Sequence, residues 1–300
     1  MTSIQICEVS PRDGLQNETV ILTTAEKIEL VERSVLAGLT RIEVTSFVNP
    51  QRVPQMADAS EVMAGISRFD GVSYAGLIMN ARGLERALAA GVHEVNIVVV
   101  ASDTFCQRNQ GMSSFESVAT AAVLVAEARS AGILSTVTIG AAFGCPFEGE
   151  VPVERLREIV SRLVDLGPDE LALADTIGVA VPREITERIG IARFQAPSSL
   201  PLRLHLHDTR HTAVANAVAA VAAGVSVFDS SIGGTGGCPF APGATGNVAT
   251  EDLIYLFDRT GVRTGVDLEL VLETTAWLET RLGKSLPGAL LRAGKFPGPR

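Results

Sequence analysis

Two histidines, two positions apart near the end of a predicted strand, carry the strongest chemical signal in the sequence. His205 and His207 stand in the run RLHLHD, which holds half of the chain's 4 histidines. Side chains two apart on a strand share a face, so both imidazoles are expected to point into one cavity. Two imidazoles on one face suit a divalent metal. The alternative is a hydrogen-bonded pair of core histidines.

An aspartate and an arginine follow the first predicted strand, in the run SPRDGLQ. Asp13 is the natural carboxylate partner of the two histidines, although an Asp-Gly step is also common in ordinary turns and helix caps. Arg12 is interpreted as a clamp for an anion or oxyanion, with a surface arginine as the alternative. Together these residues predict a metal site beside a fixed positive charge.

Three further residues stand where predicted strands end or loops begin. Glu43 lies on the second predicted strand, and Asp175 follows the sixth. Cys238 lies in the glycine-rich run GGTGGCP, which follows the eighth. Glycines around a cysteine are typical of a mobile lid that delivers a thiol, but they also occur in a flexible connection with an inert cysteine.

Eight short β-rich runs are available to position these residues: 5–9, 41–46, 73–78, 94–100, 135–141, 170–174, 203–207 and 226–230. Helical patterns lie between and after them: 25–37, 81–90, 115–131, 153–166, 183–194, 213–223, 251–258 and 267–282. This alternation predicts an α/β fold, a (β/α)8 TIM barrel with its active site at the C-terminal ends of the strands. An open doubly wound sheet is the alternative, but its Gly-rich phosphate turn is not found after the first strand.

Glycines punctuate the predicted helices in the positions where helix ends are expected. Gly38, Gly91, Gly132, Gly167 and Gly224 each follow a helical run, as C-terminal caps do. The barrel is expected to close near residue 232, which leaves a C-terminal helical extension from about residue 265. The whole chain, 1–300, is therefore interpreted as a single catalytic barrel domain.

The composition excludes several classes of protein. With a net charge of −9 the chain lacks the basic face that nucleic-acid binding requires, and its hydrophobic fraction of 46% is ample for a large core. The 4 cysteines are widely spread, without a Cys-x-x-Cys pair, which indicates free thiols in a reducing cytoplasm. Neither a signal peptide nor a membrane span is expected.

Longer motifs resemble the 3-hydroxy-3-methylglutaryl-CoA lyase family. They are EVSPRDGLQNE, RIEVTSFVNP, VPQMAD, ADTIG, HLHDT and GGTGGCPFAPGATGNVATEDL, which together span nearly the whole chain. The glycine–cysteine loop is the most specific of them. RDGLQ is less so, because isopropylmalate and homocitrate synthases carry a similar element, although their usual additional regulatory region does not fit this length.

The resemblance implies a role for each candidate residue. The implied ligands of a divalent metal, Mg²⁺ or Mn²⁺, are Asp13, His205, His207 and Asn247. Arg12 is expected to stabilise a thioester enolate. Cys238 is expected to act as a lid thiol in acid–base chemistry together with His205. Asp175 is expected to support proton transfer, and Glu43 to organise the site.

The resemblance further implies cleavage of 3-hydroxy-3-methylglutaryl-CoA to acetyl-CoA and acetoacetate, as in leucine degradation and ketone body metabolism. The only partner expected is this acyl-CoA substrate. The sequence does not establish whether the chain forms a homo-oligomer. After His-x-His-Asp-Thr the family usually continues Tyr-Gly-Gln, whereas this chain has Arg210-His211-Thr212. This departure keeps a related substrate such as citramalyl-CoA as an alternative. Two further alternatives are a condensing synthase, which is less favoured, and a non-catalytic binding barrel, against which the complete implied ligand set together with Cys238 argues.

Overall fold

Eight parallel strands close into a barrel in the computed structural model, which describes residues 3–237 and 246–296. In chain order the barrel strands are β1 Gln5–Glu8, β2 Arg41–Ser46, β3 Ser73–Ile78, β4 Glu94–Val100, β5 Leu134–Gly140, β6 Glu170–Asp175, β7 Leu202–Leu206 and β8 Val227–Ser230. Each strand pairs with the next along the chain, and β1 pairs with β8 to complete the ring. The predicted TIM barrel is confirmed, and every predicted strand is placed to within one residue at each end.

Helices occupy the connections between the strands and the segment that follows them. The α-helices are α1 Thr24–Leu36, α2 Ala59–Gly65, α3 Ala81–Ala89, α4 Asp103–Gln110, α5 Ser114–Ser130, α6 Val153–Leu166, α7 Pro182–Gln195, α8 Ala213–Ala222, α9 Thr250–Arg259, α10 Leu268–Leu282 and α11 Leu290–Ala293. Eight of them match the predicted helical runs to within one residue. Among the described residues, no helix combines the length and apolar character needed to cross a membrane.

Several short elements were not predicted from the sequence. The missed helices are α2, α4 and α11, and a two-stranded antiparallel ribbon, Gly144–Cys145 with Gly149–Glu150, was missed as well. Helix α4 has the sequence DTFCQRNQ and buries only Phe105 and Cys106, so it lacks the apolar periodicity by which helices are recognised. His207, predicted within the seventh strand, lies one residue beyond it and forms an isolated bridge with Asn247.

The ends of α1 show how the sequence sets the helix boundaries. Thr23 Oγ1 accepts a hydrogen bond from the Glu26 amide at 3.3 Å, and the Glu26 carboxylate accepts one from the Thr23 amide at 2.9 Å. This capping box starts the helix. Gly38, just past its end, has φ +93°, a conformation that disfavours side chains with a Cβ. The other four predicted cap glycines also have positive φ.

Charged side chains fill the interior of the barrel at the N-terminal ends of the strands. Arg41 donates to Glu94 (Nε–Oε2, 2.9 Å) and to Glu170 (Nη1–Oε2, 2.9 Å), and Thr136 donates to Glu94 at 2.8 Å. Arg203 lies 3.5 Å from Glu170. We call these five residues the floor cluster. They close one end of the barrel, and the opposite end is left for the candidate site.

The C-terminal helices pack back onto the first part of the barrel. The amide of Asp267, at the start of α10, donates to Ala37 at 2.7 Å, and Arg33 of α1 lies 5.1 Å above the Trp277 ring of α10. Lys284 donates to Glu18 at 2.6 Å, in the loop after β1. The segment from about residue 265 therefore forms a helical extension against α1. Its assignment to a single domain with the barrel stays a prediction.

Candidate active site

Two strand ends bring three of the predicted ligands together at the C-terminal end of the barrel. Asp13 lies in a one-turn helix, Ser10–Gly14, directly after β1, while His205 is on β7 and His207 just beyond it. One side-chain ligand atom from each lies within 4.8 Å of the other two, and all three residues are buried. Asp13 Oδ2 is 3.8 Å from His205 Nε2 and 4.0 Å from His207 Nε2.

A glycine allows this turn to pack closely against the loop after β8. A Cβ added to Gly14 would lie 2.3 Å from Thr235 Oγ1 and 2.8 Å from Ser231 Oγ, closer than such atoms approach. The Asp-Gly step seen in the sequence is therefore required by packing. It places the backbone beside Asp13 against the start of the glycine-rich loop.

The fourth predicted ligand completes the cluster. Asn247 Nδ2 donates to Asp13 Oδ2 at 2.8 Å and to the Thr235 carbonyl at 3.0 Å. Asn247 Oδ1 is buried and has no hydrogen-bond partner within the described part of the chain. A buried acceptor is costly to leave unpaired, so this oxygen fits a metal ligand. A set with a carboxylate and two imidazoles suits a divalent metal.

The surroundings of Asp13 keep its carboxylate ionised. Burial by itself raises the pKa of Asp13, but the charges of Arg12, His205 and His207 and the hydrogen bond from Asn247 lower it to about 2. Arg12 Nη1 donates to Oδ1 at 2.5 Å, and so does Gln16 Nε2 at 2.8 Å. Asp13 Oδ1 is thus held by Arg12 and Gln16, while Oδ2 is the oxygen near the two histidines.

A carboxylate on β2 fixes the guanidinium of Arg12. Nε and Nη2 of Arg12 donate to the two oxygens of Glu43, each at 3.0 Å, and Glu43 is fully buried. Asn96 contacts Glu43 at 3.4 Å and accepts a hydrogen bond from Thr138 at 2.7 Å. A guanidinium has five N–H donors. Three serve Glu43 and Asp13, which leaves two without a partner among the residues that the structure describes.

Asp175 lies at the end of β6 and holds the backbone of the loop that follows. Its two oxygens accept hydrogen bonds from the amides of Val179 at 2.9 Å and Ala180 at 3.0 Å. Burial raises the pKa of Asp175 despite these bonds and despite the positive charges of His205 and Arg210. The geometry gives Asp175 a loop-holding role, and its part in proton transfer stays a prediction.

Cys238 lies outside the described residues, within the segment 238–245. The described residues on either side of this segment belong to the barrel mouth. Asn17 donates to the Gly237 carbonyl at 2.7 Å. A Cβ on Gly246 would lie 2.0 Å from the Gly234 carbonyl oxygen, so the chain requires glycine there. A groove of about 300 Å³ adjoins both ends, lined in part by Glu18, Gly236, Gly246 and Lys284.

Asp229 on β8 is a site residue that the sequence analysis missed. Its Oδ2 lies 3.0 Å from His205 Nδ1, and its Oδ1 lies 2.9 Å from Arg203 Nε. Asp229 and His205 are register partners across β8 and β7. Asp229 is the one acidic residue in the predicted strand 226–230. That isolated charge in an apolar strand was the available signal.

The two substituted positions after β7 lie in the loop at the same end of the barrel. Arg210 Nη1 donates to the carbonyls of Ile177 at 3.1 Å and Gly178 at 2.8 Å. His211 has φ +55°, and its side chain is 91% exposed. That backbone conformation favours glycine, the residue usual at this position in the family that the sequence resembles. Arg210 therefore joins the loops after β6 and β7.

Comparisons with known proteins agree on one family. The HMGL-like family profile matches residues 3–277. The chain is 42% identical to (R)-citramalyl-CoA lyase of Chloroflexus aurantiacus, covering 98% of this chain and 96% of that protein. It is also 42% identical to hydroxymethylglutaryl-CoA lyase YngG of Bacillus subtilis, covering 97% of each.

A solved structure shares the architecture along almost the full length. It is an HMG-CoA lyase from Acinetobacter baumannii in complex with coenzyme A and 3-methylmalate, 36% identical, with a TM-score of 0.95. The match covers 99% of this chain and 97% of that one. The two curated relatives are equally similar but named for different acyl groups, so overall identity does not select between those groups.

Proposed function

The chain belongs to the HMGL-like family, and we propose that its barrel-mouth site cleaves the C2–C3 bond of 3-hydroxy-3-methylglutaryl-CoA, releasing acetyl-CoA and acetoacetate. The observation that carries this proposal is the buried cluster of Asp13, His205 and His207 beside the clamped guanidinium of Arg12. Such a site would hold a divalent cation next to the fixed positive charge of Arg12. Carbon–carbon cleavage of a 3-hydroxyacyl thioester uses both.

Four side chains of this chain would hold the cation: Asp13, His205, His207 and Asn247. A bound divalent cation supplies Lewis-acid polarisation of a hydroxyl oxygen and lowers its pKa. We propose Mg²⁺ or Mn²⁺, because a donor set of oxygen and nitrogen ligands without thiolate favours these ions over a structural zinc.

The reaction requires two proton transfers and one charged leaving fragment. A base takes the C3 hydroxyl proton, the C2–C3 bond breaks as the ketone forms, and the bonding electron pair passes into the enolate of the acetyl thioester. An acid then protonates the enolate carbon. We assign these transfers to Cys238, with Asp175 in support. His205, the other candidate implied by the resemblance, has Nδ1 against Asp229 and Nε2 toward the metal site, so we assign it the role of a ligand.

Arg12 stabilises the enolate oxygen. The clamp by Glu43 fixes the guanidinium before the substrate arrives, and the two remaining N–H groups are free to meet the developing negative charge. Loss of one such preorganised donor typically costs about 3 kcal/mol of barrier. Glu43 thereby contributes to the reaction through the position of Arg12.

A citramalyl-CoA lyase is the second candidate. It is favoured by the equal similarity to the Chloroflexus aurantiacus relative and by the substitutions at Arg210 and His211. Both candidates use the same cleavage chemistry and differ in the acyl group. We also place the enzyme in a reducing cytoplasm, in keeping with free thiols at Cys7, Cys106 and Cys145 among the described cysteines.

Metal removal tests the proposed function. Treatment with a chelator should abolish acetoacetate formation from hydroxymethylglutaryl-CoA, and addition of Mg²⁺ or Mn²⁺ should restore it. His207→Ala should weaken Mn²⁺ binding by at least the roughly 10–100-fold that loss of an outer-shell partner costs. Full turnover by metal-free protein would rule out the proposed mechanism.

A further inference from the structure

We propose that Asp229 is a positioning residue that sets the tautomer and ring orientation of His205, so that the Nε2 lone pair of His205 faces the metal site. The inference rests on the proposed function only in assuming that a metal binds beside His205. It assigns a role to a residue of β8, a strand that supplies none of the four proposed ligands.

The geometry places the two side chains in direct contact inside the barrel. Asp229 is 2% exposed, and its Oδ2 lies 3.0 Å from Nδ1 of His205. The backbone fixes this contact, because Asp229 and His205 are register partners on adjacent parallel strands. On the other side of the ring, Nε2 of His205 is 3.8 Å from Asp13 Oδ2, longer than a hydrogen bond.

An ionised carboxylate only accepts hydrogen bonds, so its partner nitrogen has to carry the proton. Asp229 also faces a permanent positive charge, because its Oδ1 lies in ion-pair contact with the buried guanidinium of Arg203. The neutral ring of His205 is thus protonated at Nδ1 and carries its lone pair on Nε2. A metal-ligating histidine is commonly oriented in this way by its second nitrogen.

Arg203 determines which way an amide side chain at position 229 would face. Its Nε lies 2.9 Å from Asp229 Oδ1, in ion-pair contact without the straight geometry of a hydrogen bond, and its side chain is 1% exposed. Arginine has donors and no acceptor. In Asp229→Asn, the amide oxygen should therefore face Arg203, which turns the amide NH₂ toward His205. The ring would then have to accept at Nδ1 and carry its proton on Nε2, where it blocks the metal.

The test begins with the metal-free wild-type protein, so that its first result does not depend on whether an Asp229 variant folds. Long-range ¹H–¹⁵N NMR at about pH 9, with His205 assigned through a His205→Gln variant, reports which ring nitrogen carries the proton. We expect the proton on Nδ1 in the wild type and on Nε2 in Asp229→Asn. A wild-type ring protonated at Nε2 overturns the inference, even if Asp229→Asn fails to fold.

Mn²⁺ binding measured by electron paramagnetic resonance provides the second readout. Asp229→Asn should bind Mn²⁺ about 10–100-fold more weakly than the wild type. The matched control is Asp169→Asn, which removes a carboxylate that accepts from Ser135 at the other end of the barrel strands. The control should keep wild-type affinity.

Two results in folded Asp229→Asn would overturn the inference: an unchanged tautomer or unchanged Mn²⁺ affinity. Absence of lyase turnover in a wild type that shows the expected tautomer and binds Mn²⁺ would contradict the proposed function alone. The experiments therefore distinguish a failure of the role proposed for Asp229 from a failure of the proposed function.

Discussion

Neighbouring residues of opposite charge have different roles in the candidate site. Asp13 turns one oxygen toward the histidines, and Arg12 anchors the other while it is itself clamped by Glu43. Three buried charges in contact are stable only when each is paired, because an isolated ion in a low-dielectric interior is very costly. The pairing also removes most of the rotational freedom of the guanidinium, so little reorganisation is required during the reaction.

Glu43→Gln should lower kcat with only a modest change in KM. A neutral amide offers one oxygen and one NH₂ group to Arg12, so the bidentate pair becomes a single weaker hydrogen bond. Hydrogen bonds to charged groups contribute about 1.5–3 kcal/mol, which corresponds to roughly a 10–100-fold loss of kcat. Steady-state kinetics on hydroxymethylglutaryl-CoA measure the effect. The exposed Glu158→Gln serves as control, and a wild-type kcat in Glu43→Gln would show that the clamp does not matter for turnover.

Some of the site could be predicted from residue types alone, and some could not. His205 and His207 stood out because strand periodicity places them on one face, and Asp13 because it follows a strand end. Asp229 could not be recognised from strand periodicity or from its position in a strand. Its role depends on the register between β7 and β8 and on Arg203, contacts between residues some 24 positions or more apart that periodicity does not encode.

At the scale of elements, the loops after β6 and β7 form one unit. Arg210 donates to two carbonyls of the preceding loop, and a Cβ on Gly178 would lie 2.8 Å from the His207 carbonyl oxygen. The backbone at the proposed ligand His207 is therefore packed against the loop that Asp175 holds. The sequence marked Arg210 and His211 as a departure from the family, but only the structure shows that the guanidinium is directed to backbone carbonyls.

The double variant Arg210→Tyr/His211→Gly tests whether the loops after β6 and β7 determine which acyl group the enzyme prefers. Glycine should relieve the left-handed strain at position 211, worth about 1 kcal/mol, while loss of Arg210 should loosen the contact between the loops. The measurement is kcat/KM for hydroxymethylglutaryl-CoA and for citramalyl-CoA in both proteins. Because Arg210 is directed to carbonyls and His211 is exposed, we expect the ratio to change by less than about tenfold.

A native preference for citramalyl-CoA that the double variant reverses would contradict this expectation and overturn the substrate assignment. Arg52→Tyr, which alters an exposed residue in the loop after β2, is a suitable control for nonspecific effects of the same exchange.

Helix α9 contains a buried carboxylate that is not one of the proposed ligands. Glu251 is fully buried and accepts a hydrogen bond from the Gly233 amide at 3.0 Å. Burial raises the pKa of Glu251 from 4.5 to about 8, with smaller contributions from Asp252 and Glu8. The folded chain therefore keeps Glu251 protonated at pH values where the unfolded chain ionises it.

This difference predicts the direction of a pH effect on stability. Between pH 4.5 and about 8 the folded state binds the extra proton, so the free energy of unfolding should fall as the pH rises. The contribution of one group is at most about 1.4 kcal/mol per pH unit. Urea unfolding from pH 5 to 9 should show a smaller decline in Glu251→Gln than in the wild type. Parallel curves for the two proteins would refute the prediction, and Glu158→Gln should follow the wild type.

At the scale of the whole molecule, the barrel carries polar clusters at both ends of its interior. The floor cluster occupies the N-terminal ends of the strands, and the ligand set occupies the C-terminal ends. Arg203 belongs to the first and contacts Asp229, which contacts His205 of the second. The alternation of strands and helices was enough to predict the barrel, but the floor cluster was not predicted, because its members come from five separate strands.

Glu94→Gln distinguishes a structural floor from one that is coupled to the active site. Glu94 is 1% exposed and accepts hydrogen bonds from both Arg41 and Thr136. Its neutralisation leaves Arg41 and Arg203 with too little compensating charge, and breaking a buried ion pair typically costs about 3–5 kcal/mol. We expect the free energy of unfolding in urea to fall by about that amount, against less than about 0.5 kcal/mol for the exposed Glu158→Gln. Because Glu94 lies at the opposite end from the ligands, kcat of the folded variant should stay within about twofold of the wild type. A large loss of kcat with unchanged stability would instead show that charge at the floor acts on His205 through Arg203 and Asp229.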